Sequence, residues 1–256
     1  MGQVKEGRLV IDAAGHEVYY KLFGHGSQTL LGLAGGPGCS HDYIARLGEL
    51  SGGDLQVCLY DQLGTGKSDR PADTSLWRID RFAAEVEAVR TRLGLGRIHL
   101  YGHSWGGWLG LQYALDYPQA VRSLILAGTS ASVSQYLESA RRRLLEFPHD
   151  VQRTLFKYEA RQEWGNPEMA KAAMYFYATF MRRATPFDLE QSIKECNEIL
   201  MPLFQDVGPQ RLGQQLAGAV QGYADHAVGR PLEAVVGPVE VIGAPQPCDL
   251  HRPAIR

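Results

Sequence analysis

The sequence predicts an α/β fold, a doubly wound and mainly parallel sheet with an all-helical cap. Three observations predict it. Through residue 128, short β-rich runs alternate with helical runs, the order from which parallel sheets are built. From about 131 to 205 the alternation stops and helical segments follow one another. Within the first of these stretches, "YGHSWGG" (101–107) sets a serine among glycines where a strand passes into a helix.

The elements follow in order. "RLVIDAAGHEVYYKLFG" (8–24) reads as a hairpin around the Ala-Gly turn at 14–15. "TLLGLAG" (29–35) is a short buried strand running into "GGPG", and "SHDYIARLGEL" after it reads as a helix with Ser40 as N-cap. "LQVCLYD" (55–61) is the next strand. Leu76, Ile79, Phe82, Val86, Val89 and Leu93 recur at spacings of three and four, one apolar face of a helix. "RIHLYG" (97–102) and "VRSLILAG" (121–128) are strands flanking the helix after Ser104, which stops near Pro118. Four cap helices are expected at 134–147, 151–164, 167–183 and 186–201, with Pro148, Pro167 and Pro186 at their boundaries.

Residues 208–256 differ in texture, with seven glycines, six prolines, no lysine and one aromatic, Tyr223. No helical period persists there. "AVVGPVEVIGA" could form a strand, but the rest resembles a linker more than the second half of a sheet. The expected organisation is therefore a core over 1–130, a helical cap over 131–207 and an atypical tail over 208–256, with C-terminal strands of the sheet missing.

Bulk composition excludes some partners. The formal net charge is −2, which gives no electrostatic basis for binding nucleic acid or an anionic membrane. Cys39, Cys58, Cys196 and Cys248 lack metal-ligand spacing and read as free thiols of a reducing compartment. The first residues lack an apolar signal region, and Glu6 breaks a myristoylation pattern at Gly2. A cytoplasmic location is the expectation.

The chemistry rests on Gly102-His103-Ser104-Trp105-Gly106, a G-x-S-x-G pattern. A sharp strand-to-helix turn exposes the serine oxygen, and the glycines remove side chains that would clash. The helix after Ser104 directs backbone N–H groups and its positive dipole end at a developing oxyanion. "AGGPG" (34–38) suits a second oxyanion donor, since successive glycines let backbone N–H groups face a ligand; a tight loop needing positive φ is the plainer alternative. "DQLGTGKSDRP" (61–71) lacks the spacing of a nucleotide-binding P-loop and reads as a structural loop in which Asp61 and Ser68 hold backbone.

In this order and spacing, "GGPG", "DQLGTGKSDRP" and "GHSWGG" resemble the proline iminopeptidase family of α/β-hydrolases over roughly residues 8–207. The resemblance implies an α/β-hydrolase fold and a serine aminopeptidase, with Ser104 as nucleophile and the backbone N–H groups of Gly36 and Trp105 as oxyanion hole. It implies a small peptide or amide as substrate, with proline preferred at the N-terminus, and no metal or cofactor. "YFY" (175–177) in a helical cap also resembles the family, and Tyr175 and Tyr177 are candidates for the substrate pocket beside Phe176 and Phe180; aromatics at helical spacing are also ordinary core. The family commonly has histidine where Ala34 stands. It carries a G-P-N-E-F pattern whose glutamate holds the substrate amine, where this chain reads "GPQRL" with Arg211.

The triad acid and histidine remain unassigned. In such enzymes they follow the serine along the chain, on loops after later strands. His16, His25, His41 and His99 precede Ser104, His103 adjoins it, and His149 lies between cap helices. Asp225-His226 and Asp249-x-His251 place acid and base too close together for separate loops. One inserted base would convert Asn-Glu codons into Gln-Arg at 210–211, so the tail reads as a shifted frame, with a genuine variant tail as the alternative. Two other functions stay open: an amidase, esterase or lactonase of the same fold, and a non-catalytic remnant lacking the triad acid and histidine.

Overall fold

The computed structural model describes residues 3–130, 133–161, 163, 166–176 and 239–242. The expected fourth cap helix, Tyr177, Phe180, Arg211, His226 and His251 lie outside the described residues, as does the tail apart from 239–242.

Strand β1 (Val4–Val10) turns through the positive-φ Gly15 into β2 (Glu17–Phe23), the expected hairpin. Strands β3 (Gln28–Leu33), β4 (Leu55–Tyr60), β5 (Ile98–His103) and β6 (Val121–Ala127) follow, and β7 (Val239–Ile242) comes from within "AVVGPVEVIGA". The sheet order is β1-β2-β4-β3-β5-β6-β7. β2 runs antiparallel to its neighbours, while β4 through β7 pair in parallel. Strand β7 extends the sheet beyond β6, pairing Leu124 with Val239 and Ala127 with Ile242.

Each face of the sheet covers apolar side chains. On one face, helix α1 (Ile79–Arg92) sets Ile79, Phe82, Val86 and Val89 into a core shared with Leu31, Leu33, Leu100 and Leu124. This is the face that the three- and four-residue spacing predicts. Helix α2 (Trp105–Asp116) adds Trp105, Leu109 and Tyr113 to the same core. On the other face, Leu30, Ala34, Val57 and Leu59 pack with Ile44, Tyr43 and Leu47.

The last three belong to His41–Leu50, which forms 3₁₀ turns rather than the expected α-helix. Ser40 stands at its N-cap with extended backbone, but its hydroxyl donates to the Asp42 carboxylate at 2.9 Å instead of capping a backbone N–H. A carboxylate two residues on is the stronger acceptor for that hydroxyl.

The cap contributes α3 (Val133–Leu144), α4 (His149–Arg161) and α5 (Pro167–Phe176). Trp108 on α2 meets Tyr136 on α3 edge to face, with ring centres 6.0 Å apart, and its indole nitrogen donates to the Ser130 carbonyl. Among the described residues no helix is long and apolar enough to cross a membrane.

Candidate active site

The parallel strands β3 and β5 lie side by side, pairing Leu33 with Gly102. The loops that leave their carboxyl ends are therefore neighbours. They carry Ala34–Gly38 and Ser104.

Ser104 sits between β5 and α2 with φ 53° and ψ −118°. Among the described residues it is the one non-glycine with positive φ. Side chains avoid that region because Cβ crowds the backbone. Two hydrogen bonds hold the turn: the Ser104 N–H donates to the Ala127 carbonyl at 3.0 Å, and the Gly107 N–H donates to the Ser104 carbonyl at 2.9 Å. The flanking glycines are required by close approach. A β-carbon on Gly102 would lie 2.3 Å from the Gly106 carbonyl oxygen, and one on Gly106 would lie 2.2 Å from that of Leu33. Strand, helix and β3 thus converge on backbone alone beneath the serine.

The glycine loop faces this elbow. A β-carbon on Gly35 would come within 3.2 Å of the Ser104 β-carbon. Gly36, at φ 114°, precedes Pro37 through a cis peptide bond. The Gly35 N–H is engaged, since it donates to the Tyr43 hydroxyl. That hydroxyl is also 2.9 Å from Nδ1 of His103, whose ring meets the Tyr43 ring edge to face. Trp105 is tied to the same loop. Its indole N–H donates to Gln62 Oε1 at 3.0 Å, and Gln62 Nε2 donates to the Ala34 carbonyl at 3.1 Å.

The loop "DQLGTGKSDRP" is structural, in line with its sequence. The buried Asp61 carboxylate accepts the His41 N–H at 2.7 Å and the Lys67 N–H at 2.9 Å, and His41 Nδ1 lies 2.8 Å away. Ser68 donates to the Asp61 carbonyl and accepts the Tyr19 N–H. A β-carbon on Gly66 would fall 2.2 Å from the Asp61 carboxylate, so this glycine makes room for the hub.

Several imidazoles have hydrogen-bond partners other than the serine. His16 bonds Asp12, and His99 lies between Ser123 and Gln28. His41 serves Asp61, and His103 meets Tyr43. Burial lowers the pKa of His103, and burial with the Arg122 charge lowers that of His99. Both therefore favour the neutral ring. Tyr175, on α5, is partly exposed, with its ring edge-on to Phe147 at 5.1 Å within the cap. Tyr43 and Gln62 carry no mark in the sequence as site residues. Tyr43 falls in a run legible only as helix, and Gln62 is a neutral amide beside a more conspicuous aspartate.

The α/β-hydrolase fold model matches residues 28–171, which span both site loops and the elbow. The chain belongs to the α/β-hydrolase family, in its proline iminopeptidase group. Proline iminopeptidase of Saccharolobus solfataricus is 36% identical over 207 residues, covering 80% of this chain and 64% of that protein. That of Heyndrickxia coagulans is 39% identical over 175 residues, covering 68% and 60%. The chain thus spans less than two thirds of the length of these two relatives. Proline iminopeptidase of Chitinophaga pinensis is 31% identical, covering 89% of this chain and 77% of that protein. Among solved structures, proline iminopeptidase of Mycobacterium smegmatis superimposes with a TM-score of 0.69 at 26% identity, covering 93% of this chain and 80% of that one. The crystal structure of VinJ superimposes with a TM-score of 0.73 at 26% identity, covering 93% and 90%.

Proposed function

We propose that the protein is a serine aminopeptidase that releases an N-terminal residue, with proline preferred, from a small peptide or amide. The observation that carries this reading is the juxtaposition of Ser104, on its positive-φ elbow, with the Gly35–Gly36 loop. Ser104 Oγ attacks the scissile carbonyl, the C–N bond breaks and the rest of the substrate leaves as an amine that carries off the serine proton. Water then hydrolyses the acyl-enzyme, freeing the N-terminal residue and restoring the hydroxyl. The negative oxygen of the tetrahedral intermediate is met by two backbone N–H groups. Trp105 supplies one, because first-turn N–H groups of a helix have no intrahelical acceptor. The loop supplies the other from Gly36, because the Gly35 N–H is engaged with Tyr43. Fixed donors aimed at a developing oxyanion are each worth roughly 10²–10³ in rate.

The proline preference is taken from the named relatives, and Arg211 does not carry over the family's amine contact. The test is labelling with a fluorophosphonate, followed by turnover of a prolyl arylamide beside a short-chain aryl ester. Labelling that maps to Ser104 and vanishes in Ser104→Ala, with the arylamide turned over faster, is the expected result. A faster ester marks an esterase of the same fold. Absence of labelling marks a remnant and overturns the proposal.

A further inference from the structure

Two loops must keep a fixed distance for an oxyanion hole to work, because one donor sits on each. The first is Ala34–Gly38 and the second is the turn at Ser104. Ala34 offers no side-chain hydrogen bond, so the link must come from elsewhere.

We propose that Tyr43 is a positioning residue, whose hydroxyl accepts the Gly35 N–H and donates to Nδ1 of His103, fixing the glycine loop against the nucleophile elbow. This rests on the hydrolase reading of Ser104.

Three features support it. The Tyr43 ring packs against the core cluster of Leu30, Ala34, Ile44, Val57 and Leu59, so the hydroxyl is placed by a rigid body. Its partners lie on the two loops that need alignment: Gly35 precedes the proposed donor Gly36, and His103 precedes Ser104. The His103 ring is held neutral by burial, which leaves one ring nitrogen free to accept a proton donor. Donation from Tyr43 selects the tautomer with the proton on Nε2. The Tyr43 oxygen meanwhile accepts from the Gly35 amide, which leaves the Gly36 N–H as the proposed donor of the loop. Misplacing a donor by about an ångström costs on the order of a hundredfold in rate.

The experiment reads the link directly and reads its effect on Ser104 separately. In Tyr43→Phe, which keeps the ring, the Gly35 amide should exchange with solvent at least tenfold faster, and the ¹⁵N shifts of the His103 ring should move. Fluorophosphonate labelling of Ser104 should slow tenfold to a hundredfold, and any arylamide turnover should lose kcat with little change in KM. An unchanged Gly35 exchange rate, or labelling within twofold of the wild type, overturns the proposal. A wild type that is not labelled overturns the hydrolase reading instead, while amide exchange and ¹⁵N shifts still decide the link. Should Tyr43→Phe fail to fold, His103→Leu and His103→Asn pose the same question from the other side. The leucine removes the acceptor and should free the Gly35 amide. The asparagine sets a carbonyl oxygen near the Nδ1 position and should restore its protection; equal exchange in the two variants overturns the proposal.

Discussion

Gln62 joins Trp105 to Ala34 by two hydrogen bonds, accepting from the indole nitrogen at 3.0 Å and donating to the carbonyl at 3.1 Å. All three residues are buried. A single amide therefore connects the first residue of α2 with the residue that opens the glycine loop. A side-chain amide has both a donor and an acceptor at this reach, and carries no charge at any pH. Gln62→Leu leaves a buried N–H and a buried carbonyl unpaired, at a cost of about 2–4 kcal/mol. Gln62→Glu keeps the acceptor but turns an oxygen toward the Ala34 carbonyl, and at neutral pH it buries a charge. It should be the less stable of the two at pH 7. Burial raises the pKa of the introduced carboxyl in the folded state, so the protonated form, which can donate to Ala34, is favoured as pH falls. Urea unfolding at pH 7 and pH 5 checks this, with Gln62→Glu expected to regain ground on Gln62→Leu at the lower pH.

Glu87 gives a pH dependence of the opposite sign. Its carboxylate receives two bonds from Arg90, at 2.8 and 2.6 Å, and one from the Tyr113 hydroxyl at 2.6 Å, which links α1 to α2. The Arg90 hydrogen bonds hold its pKa below the ordinary carboxylate value, against the opposing effect of burial. A depressed folded value means that the charged form stabilises the fold above the unfolded pKa, and that this stability is lost as pH falls through the folded value. Glu87→Gln should cost about 1 kcal/mol at pH 7, in keeping with a part-exposed pair. The gap to the wild type should close as pH falls below about 4.5. Chemical unfolding across pH 3–7 checks it; a gap that stays constant would show that the charge adds nothing.

The parts legible in the sequence are those written in local pattern. The apolar spacing along 76–93 is the buried face of α1, and the glycines of "GHSWGG" are the close approaches around Ser104. The glycine spacing of "DQLGTGKSDRP" does not fit a P-loop and predicts a structural loop, and its Asp61 and Ser68 both hold backbone. The 3₁₀ geometry of His41–Leu50 was not legible, because its apolar residues Ile44 and Leu47 fit a helical face equally well. Tyr43 and Gln62 were not legible for a different reason. Their partners are brought to them by parallel pairing of β3 with β5, and sequence spacing holds no record of that. Strand β7 lies within "AVVGPVEVIGA", a run that can form a strand, while its place beside β6 is a matter of tertiary pairing.

Ser104 is held where glycine would be at ease. A non-glycine residue in such a region costs about 1–3 kcal/mol. Ser104→Gly removes that strain, while glycine's greater freedom in the unfolded chain costs back roughly 0.5–1 kcal/mol. The net gain should be on the order of 1 kcal/mol, or about 2–4 °C in Tm for a domain of this size. Ser104→Ala keeps the β-carbon and hence the strain, so it should melt close to the wild type. Both variants lack the hydroxyl and should lose fluorophosphonate labelling. Thermal unfolding of the three proteins checks the difference, and equal melting of the glycine and alanine variants would falsify stored strain at the elbow. The strained residue stands at the end of β5 with its β-carbon beside the glycine loop. The feature that weakens the fold at this residue is thus the one on which its proposed role as nucleophile rests.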